Sequence, residues 1–405
     1  MADLFLVVDA GGSQTKIIFQ TSDADSPEFL LMPPEVEAIS QQQFDRYQQR
    51  IGWLGSPSAQ QQAWFTVNDQ IWVVGAFASE FDPEDRLHEK KYENALYKVL
   101  AAVGVIAQKL NLSKRSLSIH LAMLLPWQEF NDRQAFEEQL RALLGEFVFR
   151  EQKLKVKLKS FLCRPEGGGL AATRMRQKGL EWFQQQRLMV LLFGHRNTSA
   201  LYFEQGQFKQ GDSPLYGFSG MIDLMMARYS VLDRQALLSA LVKAMQEAKQ
   251  NLESKNRMLQ PHWGQGNDLN YPSWFSAGAI KALVSVRDDN LRNAELEALD
   301  SVIEAALDEY WEKLEAWMNR VVPDELDEVI VSGGAALMLE PKLVRHFSTR
   351  NRQRPFDGEL VWDAELKEAM EETFNWRFSN DAHSVARFAD AYGLFDQMLD
   401  SVGAK

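Results

Sequence analysis

Cysteine is nearly missing from this sequence. One residue, Cys163, stands in 405, so no intramolecular disulfide can form and the chain suits a reducing compartment. Long apolar runs are missing too, and nothing reaches the ~20 residues that a membrane-spanning helix needs. Met1-Ala2-Asp3 lacks the basic n-region of a secretory signal, so the expectation is a cytoplasmic chain with no membrane span. Positive charge is in deficit: 44 Lys and Arg stand against 56 Asp and Glu, a formal net charge of −12. That balance argues against a direct grip on nucleic acid or anionic lipid, leaving room only for a local basic patch. The six histidines have no metal-ligand spacing, Cys163 has no cysteine partner, and no G-x-S-x-G elbow occurs. The 11 tryptophans read as core or interface anchors rather than as stacking platforms for single strands.

What remains is ordinary globular material, 45% hydrophobic and 25% charged. The chain is too long for one simple core, so two domains or one two-lobed unit is expected. The most informative stretch is Asp9-Ala10-Gly11-Gly12-Ser13-Gln14-Thr15-Lys16. An apolar run, Leu4-Phe5-Leu6-Val7-Val8, enters it and Ile17-Ile18-Phe19 leaves it. Two apolar runs around a short Gly-containing turn predict a hairpin. Dinucleotide-binding and P-loop motifs instead place a helix after their glycines. Here the backbone N–H groups of the turn would themselves hold an anion. Gly11 and Gly12 allow close backbone approach, Ser13 and Thr15 add hydroxyls, Lys16 adds an ammonium, and Asp9 could hold a hydrated Mg²⁺. Taken alone, the octapeptide is better read as an ordinary tight hairpin.

Strand and helix patterns alternate along the chain, which indicates α/β architecture. A hairpin is expected around Asn68-Asp69, a helix from Lys91 to Leu110, a buried strand over 116–125, and a helix capped by Asp132. Pro33-Pro34 interrupts any helix, and 35–63 reads as a Gln-rich but folded subdomain. Hairpin strands follow over 146–163, then a sharp break at Pro165-Glu166-Gly167-Gly168-Gly169 and helical composition over 170–186. Strands at 188–193 and 199–204 precede a long helical tract from Gly217-Gly220 to about 259, broken near 230–232. A Trp- and Gly-rich loop covers 261–278, and 291–320 is a strongly amphipathic helix. A strand over 327–332 runs into Gly333-Gly334 and a helix, and a last helix covers 384–402.

There is one long-period echo. The segment 191–201 repeats the shape of 8–18: strand, Gly-containing polar turn, strand. With Gly11 on Gly194, Thr15 falls on Thr198, while Leu192 stands where Asp9 does and His195 where Gly12 does.

At this point the sequence resembles the actin, sugar kinase and heat-shock chaperone ATPase superfamily, and within it the bacterial actin-like ParM/StbA plasmid-segregation family. Asp9 to Lys16 is similar to its first phosphate motif, and Trp72-Val73-Val74-Gly75 and Leu124-Leu125-Pro126 with Phe130 to two further segments. Val329-Ile330-Val331-Ser332-Gly333-Gly334-Ala335 resembles the adenosine motif, and Arg387-Phe388-Ala389-Asp390-Ala391-Tyr392-Gly393 the closing motif. The resemblance implies an α/β, actin-like fold (ribonuclease H-like and duplicated), two-lobed with a nucleotide cleft between the lobes. The first lobe would be 1–187 plus 379–405, the second 188–378. It implies ATP and Mg²⁺ as cofactors, with Asp9 positioning the metal through water and Glu166 orienting the attacking water.

Nucleotide would be held by Gly11, Gly12, Ser13, Gln14, Thr15 and Lys16, by Gly194, His195, Arg196, Asn197 and Thr198, and by Gly333, Gly334 and Ala335. Gly217 and Gly220 could line the cleft or form a plain turn. Gln246, Lys249 and Glu253, at helical spacing, could contact the nucleoside or form a solvated helix face. Leu192 departs from the superfamily, which places a second carboxylate there, so the ATPase activity that the resemblance implies is in doubt: either Arg196 or His195 offsets charge on the terminal phosphate, or turnover is slow or absent. The implied function is an ATP-dependent filament that segregates plasmids through a ParR-like adaptor, the adaptor and not the filament touching DNA. A cell-shape cytoskeleton, a non-polymerising small-molecule kinase and a chaperone-like nucleotide-gated module stay open, as does ATP against GTP.

Overall fold

Two five-stranded sheets of the same strand order organise the molecule. The structure is a computed structural model, and it describes residues 2–51, 57–84, 89–112, 116–229, 233–256, 278–284, 286, 288–349, 358–374 and 382–403. In chain order the strands are β1 (Leu4–Ala10), β2 (Thr15–Thr21), β3 (Glu28–Met32), β4 (Val36–Ile39), β5 (Ala63–Val67), β6 (Gln70–Val74), β7 (Leu117–Leu125), β8 (Phe147–Phe149), β9 (Gln152–Leu154) and β10 (Val156–Pro165). They continue as β11 (Arg187–Phe193), β12 (Thr198–Glu204), β13 (Gln207–Asp212), β14 (Glu328–Ser332) and β15 (Glu359–Trp362). The helices are α1 (Gln41–Ile51), α2 (Lys91–Lys109), α3 (Arg133–Gly145), α4 (Gly168–Lys178), α5 (Leu180–Phe183), α6 (Phe218–Arg228), α7 (Arg234–Asn256), α8 (Gly278–Lys281), α9 (Asp289–Val321), α10 (Ala336–Thr349), α11 (Lys367–Thr373) and α12 (Ala382–Ser401). No described helix is long and apolar enough to cross a membrane.

The first sheet runs β3-β2-β1-β7-β10 and the second β13-β12-β11-β14-β15. In each, the opening strand pairs antiparallel with the next strand in sequence and parallel with a later one across a helical crossover. β1 and β11 are continuous apolar runs because helices cover both their faces. Leu4, Leu6 and Val8 pack toward α2 and α3, while Met189, Leu191 and Phe193 pack toward α6, α9 and α10. The opposite faces, with Phe5 and Val7 from β1 and Leu188 and Val190 from β11, share one core with α4 and α12. The layer order is therefore helices, sheet, α4 with α12, sheet, helices.

A third sheet, β4-β6-β5-β8-β9, covers the far side of α2, where Trp72 stacks on Tyr97 at 3.6 Å. The hairpin expected at Asn68-Asp69 is present, with φ of 49° and 61° as a tight two-residue turn requires.

The structure departs from the sequence reading at short edge strands. β3, β13 and β15 carry no alternation long enough to stand out, and each is fixed by pairing to a longer neighbour. β10 leaves its hairpin neighbours and joins the first sheet parallel to β7. Asp132 makes no cap bond to α3; its carboxylate accepts from Lys90 Nζ at 2.9 Å instead. A working cap appears on α9, where Asp288 accepts from the N–H groups of Asn290 and Leu291. The break expected at 230–232 and most of the loop expected over 261–278 lie outside the described residues.

Candidate functional site

The register of β1 with β2 closes at Ala10 opposite Thr15, and that of β11 with β12 at Phe193 opposite Thr198. Gly11 to Gln14 and Gly194 to Asn197 are thus equivalent turns, one from each sheet. Their glycines serve the same need. A Cβ on Gly11 would lie 2.8 Å from the Gln14 carbonyl oxygen, and one on Gly194 2.7 Å from that of Asn197. Both turns face one cavity of about 1200 Å³, together with Gly333, Gly334 and Ala335 at the end of β14.

Of the residues singled out from sequence, Asp9, Gly11, Gly12, Ser13, Gln14, Lys16, Glu166, Gly194, His195, Arg196, Asn197 and Gln246 also line this cavity. Thr15 and Thr198 are buried behind their turns, and the Thr198 hydroxyl donates to the Tyr216 carbonyl at 2.8 Å. Gly217 lies behind the second turn, where its N–H donates to the Arg196 carbonyl at 3.1 Å and a Cβ would meet the His195 carbonyl oxygen at 2.2 Å. Gly220 sits in open space at the start of α6 and does not line the cavity. Lys249 and Glu253 belong to α7, but their side chains lie outside the described residues.

The first residue of α2, Lys91, is the electrostatic centre of the cleft. Its ammonium donates to Asp9 Oδ1 at 2.8 Å and to Glu166 Oε1 at 2.7 Å. Lys16 donates to the other Asp9 oxygen, Oδ2. Burial pushes the Asp9 carboxyl up, but the charges of Lys16 and Lys91 outweigh it and hold Asp9 well below the usual carboxylate range. Burial likewise works against the Lys91 charge, and Asp9 and Glu166 reverse that, holding Lys91 above an ordinary lysine. Glu166 also holds the second turn: its Oε2 accepts from Asn197 Nδ2 at 2.7 Å and Ser199 Oγ at 2.9 Å.

Two turns further along α2, Lys98 is buried with its ammonium 3.5 Å from the Gly11 carbonyl oxygen. Burial, with the nearby Lys91 charge, brings it down to about 8. On the far side, the Asp390 carboxylate of α12 accepts from the N–H groups of Gly167, Gly169 and Leu170 at the start of α4. Burial pushes its carboxyl up to about 7, and the charges of Asp9 and Glu166 add to that against the backbone donors. Glu129 joins the second turn to α2: Oε1 accepts from Arg196 Nη1 at 2.9 Å and Oε2 from the Tyr92 N–H at 3.1 Å. It thereby satisfies an orphan donor of a helix whose own N-cap, Lys90, supplies no side-chain acceptor.

A divalent ion wants several oxygen ligands. Here each Asp9 oxygen already accepts from an ammonium, and Lys91 stands between Asp9 and Glu166. Among the described residues no group of three or more His, Cys, Asp or Glu converges on a possible metal position. Leu192 fills the position equivalent to Asp9. The side chains present fit an anion and do not fit a resident Mg²⁺.

Lys91, Lys98 and Glu129 belong to no motif in the sequence, and Asp390 stands in the closing motif with no role of its own there. A signal existed for the two lysines. They sit seven positions apart within the buried face of α2, where a charge is costly unless a partner or ligand answers it.

Comparison with known proteins matches residues 8–169 to the family described as actin like proteins N terminal domain. No curated protein sequence matches the chain. Among solved structures, Ta0583, an archaeal actin homologue, is 13% identical, with 98% of this chain and 99% of that one covered at a TM-score of 0.58. ParM of Bacillus thuringiensis with ATP is 15% identical, with 99% and 100% covered at a TM-score of 0.52. The Alp12 filament structure is 12% identical, with 99% and 100% covered at a TM-score of 0.52. At these identities the likeness is one of fold. The chain thus has the actin-like fold, two lobes about a cleft, and its residues 8–169 match the N-terminal domain family of actin-like proteins.

Proposed function

We propose that the cleft binds ATP and that ATP-bound copies assemble into a filament. The carrying observation is the pair of equivalent glycine turns facing one cavity, with Gly333 and Gly334 at its third side. Phosphates fit between the turns, whose backbone N–H groups and neighbouring Lys16, Lys91 and Arg196 supply positive potential. The base fits the more apolar wall made by Leu238, Met245, Leu337 and Met338, with Gln246 at its edge. Asp9 acts as the anchor that holds the two lysines in place. Glu166 already accepts from Lys91, Asn197 and Ser199, which weakens it as a base for water, so turnover is slow. ParM bound to ATP and the Alp12 filament, similar in fold, support this reading.

On this reading the lobes are residues 1–187 plus 379–405 and 188–378, each with one of the equivalent sheets, and nucleotide clamps them together. Copies then meet through a heterologous contact that does not close, giving an open polymer. The acidic chain reaches DNA through a ParR-like adaptor in the cytoplasm rather than directly. The test is ATP binding by calorimetry together with pelleting and negative-stain microscopy. Filaments that appear with ATP and not without nucleotide are expected. A chain that binds none of ATP, ADP and GTP, or binds them and never polymerises, overturns the reading.

A further inference from the structure

We infer that Lys91 is the resident cation of this cleft and takes the place of a divalent metal ion, so that ATP is bound without one. The inference rests on the ATP reading above and deepens it. Three observations carry it. The ammonium stands between two carboxylates, 2.8 Å from Asp9 and 2.7 Å from Glu166, where an oxygen-liganded ion would stand. The three side chains are nearly sequestered, at 6%, 12% and 11% exposure, so the ion pair is built into the fold and is not a surface contact. Lastly, Lys91 is the first residue of α2, where the positive end of the helix disfavours a cation. A lysine held there against the helix dipole, by two carboxylates from other elements, has a purpose in the cleft.

The chemistry follows from the donor count. An ammonium has three N–H groups. Two are given to Asp9 and Glu166, and the residue lines the cavity, so the third is available to a phosphate oxygen. Asp9 keeps Lys16 on its other oxygen, so two ammonium groups border the first turn. The carboxylates that would ligate a metal are spent on these cations. Leu192, opposite, supplies no replacement.

The test uses the full chain. First, Mn²⁺ is titrated into nucleotide-free protein and followed by electron paramagnetic resonance. The natural chain is expected to leave Mn²⁺ free in solution, and Lys91→Met, which releases Asp9 and Glu166, to bind it. Second, ATP affinity is measured in EDTA and in excess Mg²⁺. The natural chain is expected to bind equally in both. Lys91→Met is expected to lose about tenfold or more in EDTA, the loss of one charged hydrogen bond, and to recover with Mg²⁺. Mn²⁺ bound by the nucleotide-free natural chain, or an ATP affinity of that chain that collapses in EDTA, overturns the inference. Both measurements need no variant, so they decide even if Lys91→Met fails to fold. If ATP binds in neither buffer while Mn²⁺ behaves as expected, the ATP reading falls and the assignment of Lys91 as the resident cation stands.

Discussion

Gly169 of α4 and Gly393 of α12 meet backbone to backbone. A Cβ on Gly169 would fall 2.0 Å from the Asp390 carbonyl oxygen, and one on Gly393 2.3 Å from the Gly169 carbonyl oxygen. This crossing lies in the layer on which the two sheets of shared strand order pack. Gly169→Ala and Gly393→Ala should each lower stability by about 1–3 kcal/mol, because backbone cannot yield as a flexible side chain does. Gly145→Ala, where a Cβ meets nothing within 4 Å, is the control and should be neutral or slightly stabilising. Denaturant midpoints at constant slope would check all three.

The same crossing is capped by Asp390, whose carboxyl burial pushes up to about 7 from an ordinary 3.8. Between those values the folded chain holds a proton that the unfolded chain has released. This group therefore makes stability fall as pH rises from about 4 to about 7, with no further change above, by up to about 4 kcal/mol. Asp390→Asn cannot titrate. The difference in unfolding free energy between the two proteins, measured across that window, should carry the slope; a constant difference would show that Asp390 is charged throughout.

How much of this was open to view in the sequence depends on range. The strand–turn–strand at Asp9 to Lys16 and its echo at 191–201 were legible because each is a local apolar pattern around glycine, and the registers of β1 with β2 and β11 with β12 place Gly11 on Gly194. Long helices such as α9 were legible for the same reason. Lys91 stood out only as a charge on an apolar helix face; its partners Asp9 and Glu166 were not legible, because they stand 82 and 75 positions away and no spacing rule joins them. Glu129 capping α2 from another element, and Gly217 supporting the second turn from behind, are likewise products of tertiary contact. The short edge strands β3 and β15 owe their existence to longer neighbours.

Arg196 carries a structural duty that complicates any binding experiment. Glu129 is buried and depends on Arg196 Nη1 for a charged partner. Arg196→Ala should therefore destabilise by about 3 kcal/mol through an unpaired buried carboxylate. The double variant Arg196→Ala/Glu129→Gln should regain a good part of that loss, since the amide oxygen that replaces the carboxylate can still accept from the Tyr92 N–H. Equal stabilities of single and double variants would mean that the pair is uncoupled. ATP affinity of the double variant then isolates the effect of the Arg196 charge, and a loss is expected.

Buried Arg174 is held by Glu328, with Nε to Oε1 at 2.9 Å and Nη2 to Oε2 at 2.7 Å, tying α4 to the start of β14. Glu328→Ala should cost about 3–5 kcal/mol, because the buried guanidinium is left with two exposed carboxylates, Glu365 and Glu359, as its charged partners. Arg174→Met with Glu328→Leu should be far milder, near neutral if the pair's volume is filled. Thermal unfolding of the set checks the ordering.

Lys98 makes stability and binding respond to pH in opposite senses. Its pKa falls to about 8 in the fold from 10.5, through burial and the neighbouring Lys91 charge. Between pH 8 and 10.5 the unfolded chain binds a proton that the folded chain has released, so this group makes stability rise with pH across that window. Phosphate binding works the other way. An anion beside the first turn favours the ammonium, and above pH 8 binding must recapture its proton, so affinity should fall by up to about tenfold per pH unit from there. Lys98→Gln should abolish both slopes and set ATP affinity at one lower, pH-independent level. Calorimetry in buffers of different ionisation enthalpy would reveal the proton taken up on binding. A natural chain whose affinity is flat from pH 7 to 9.5, with no proton uptake, would remove Lys98 from the phosphate site while leaving the Lys91 assignment untouched.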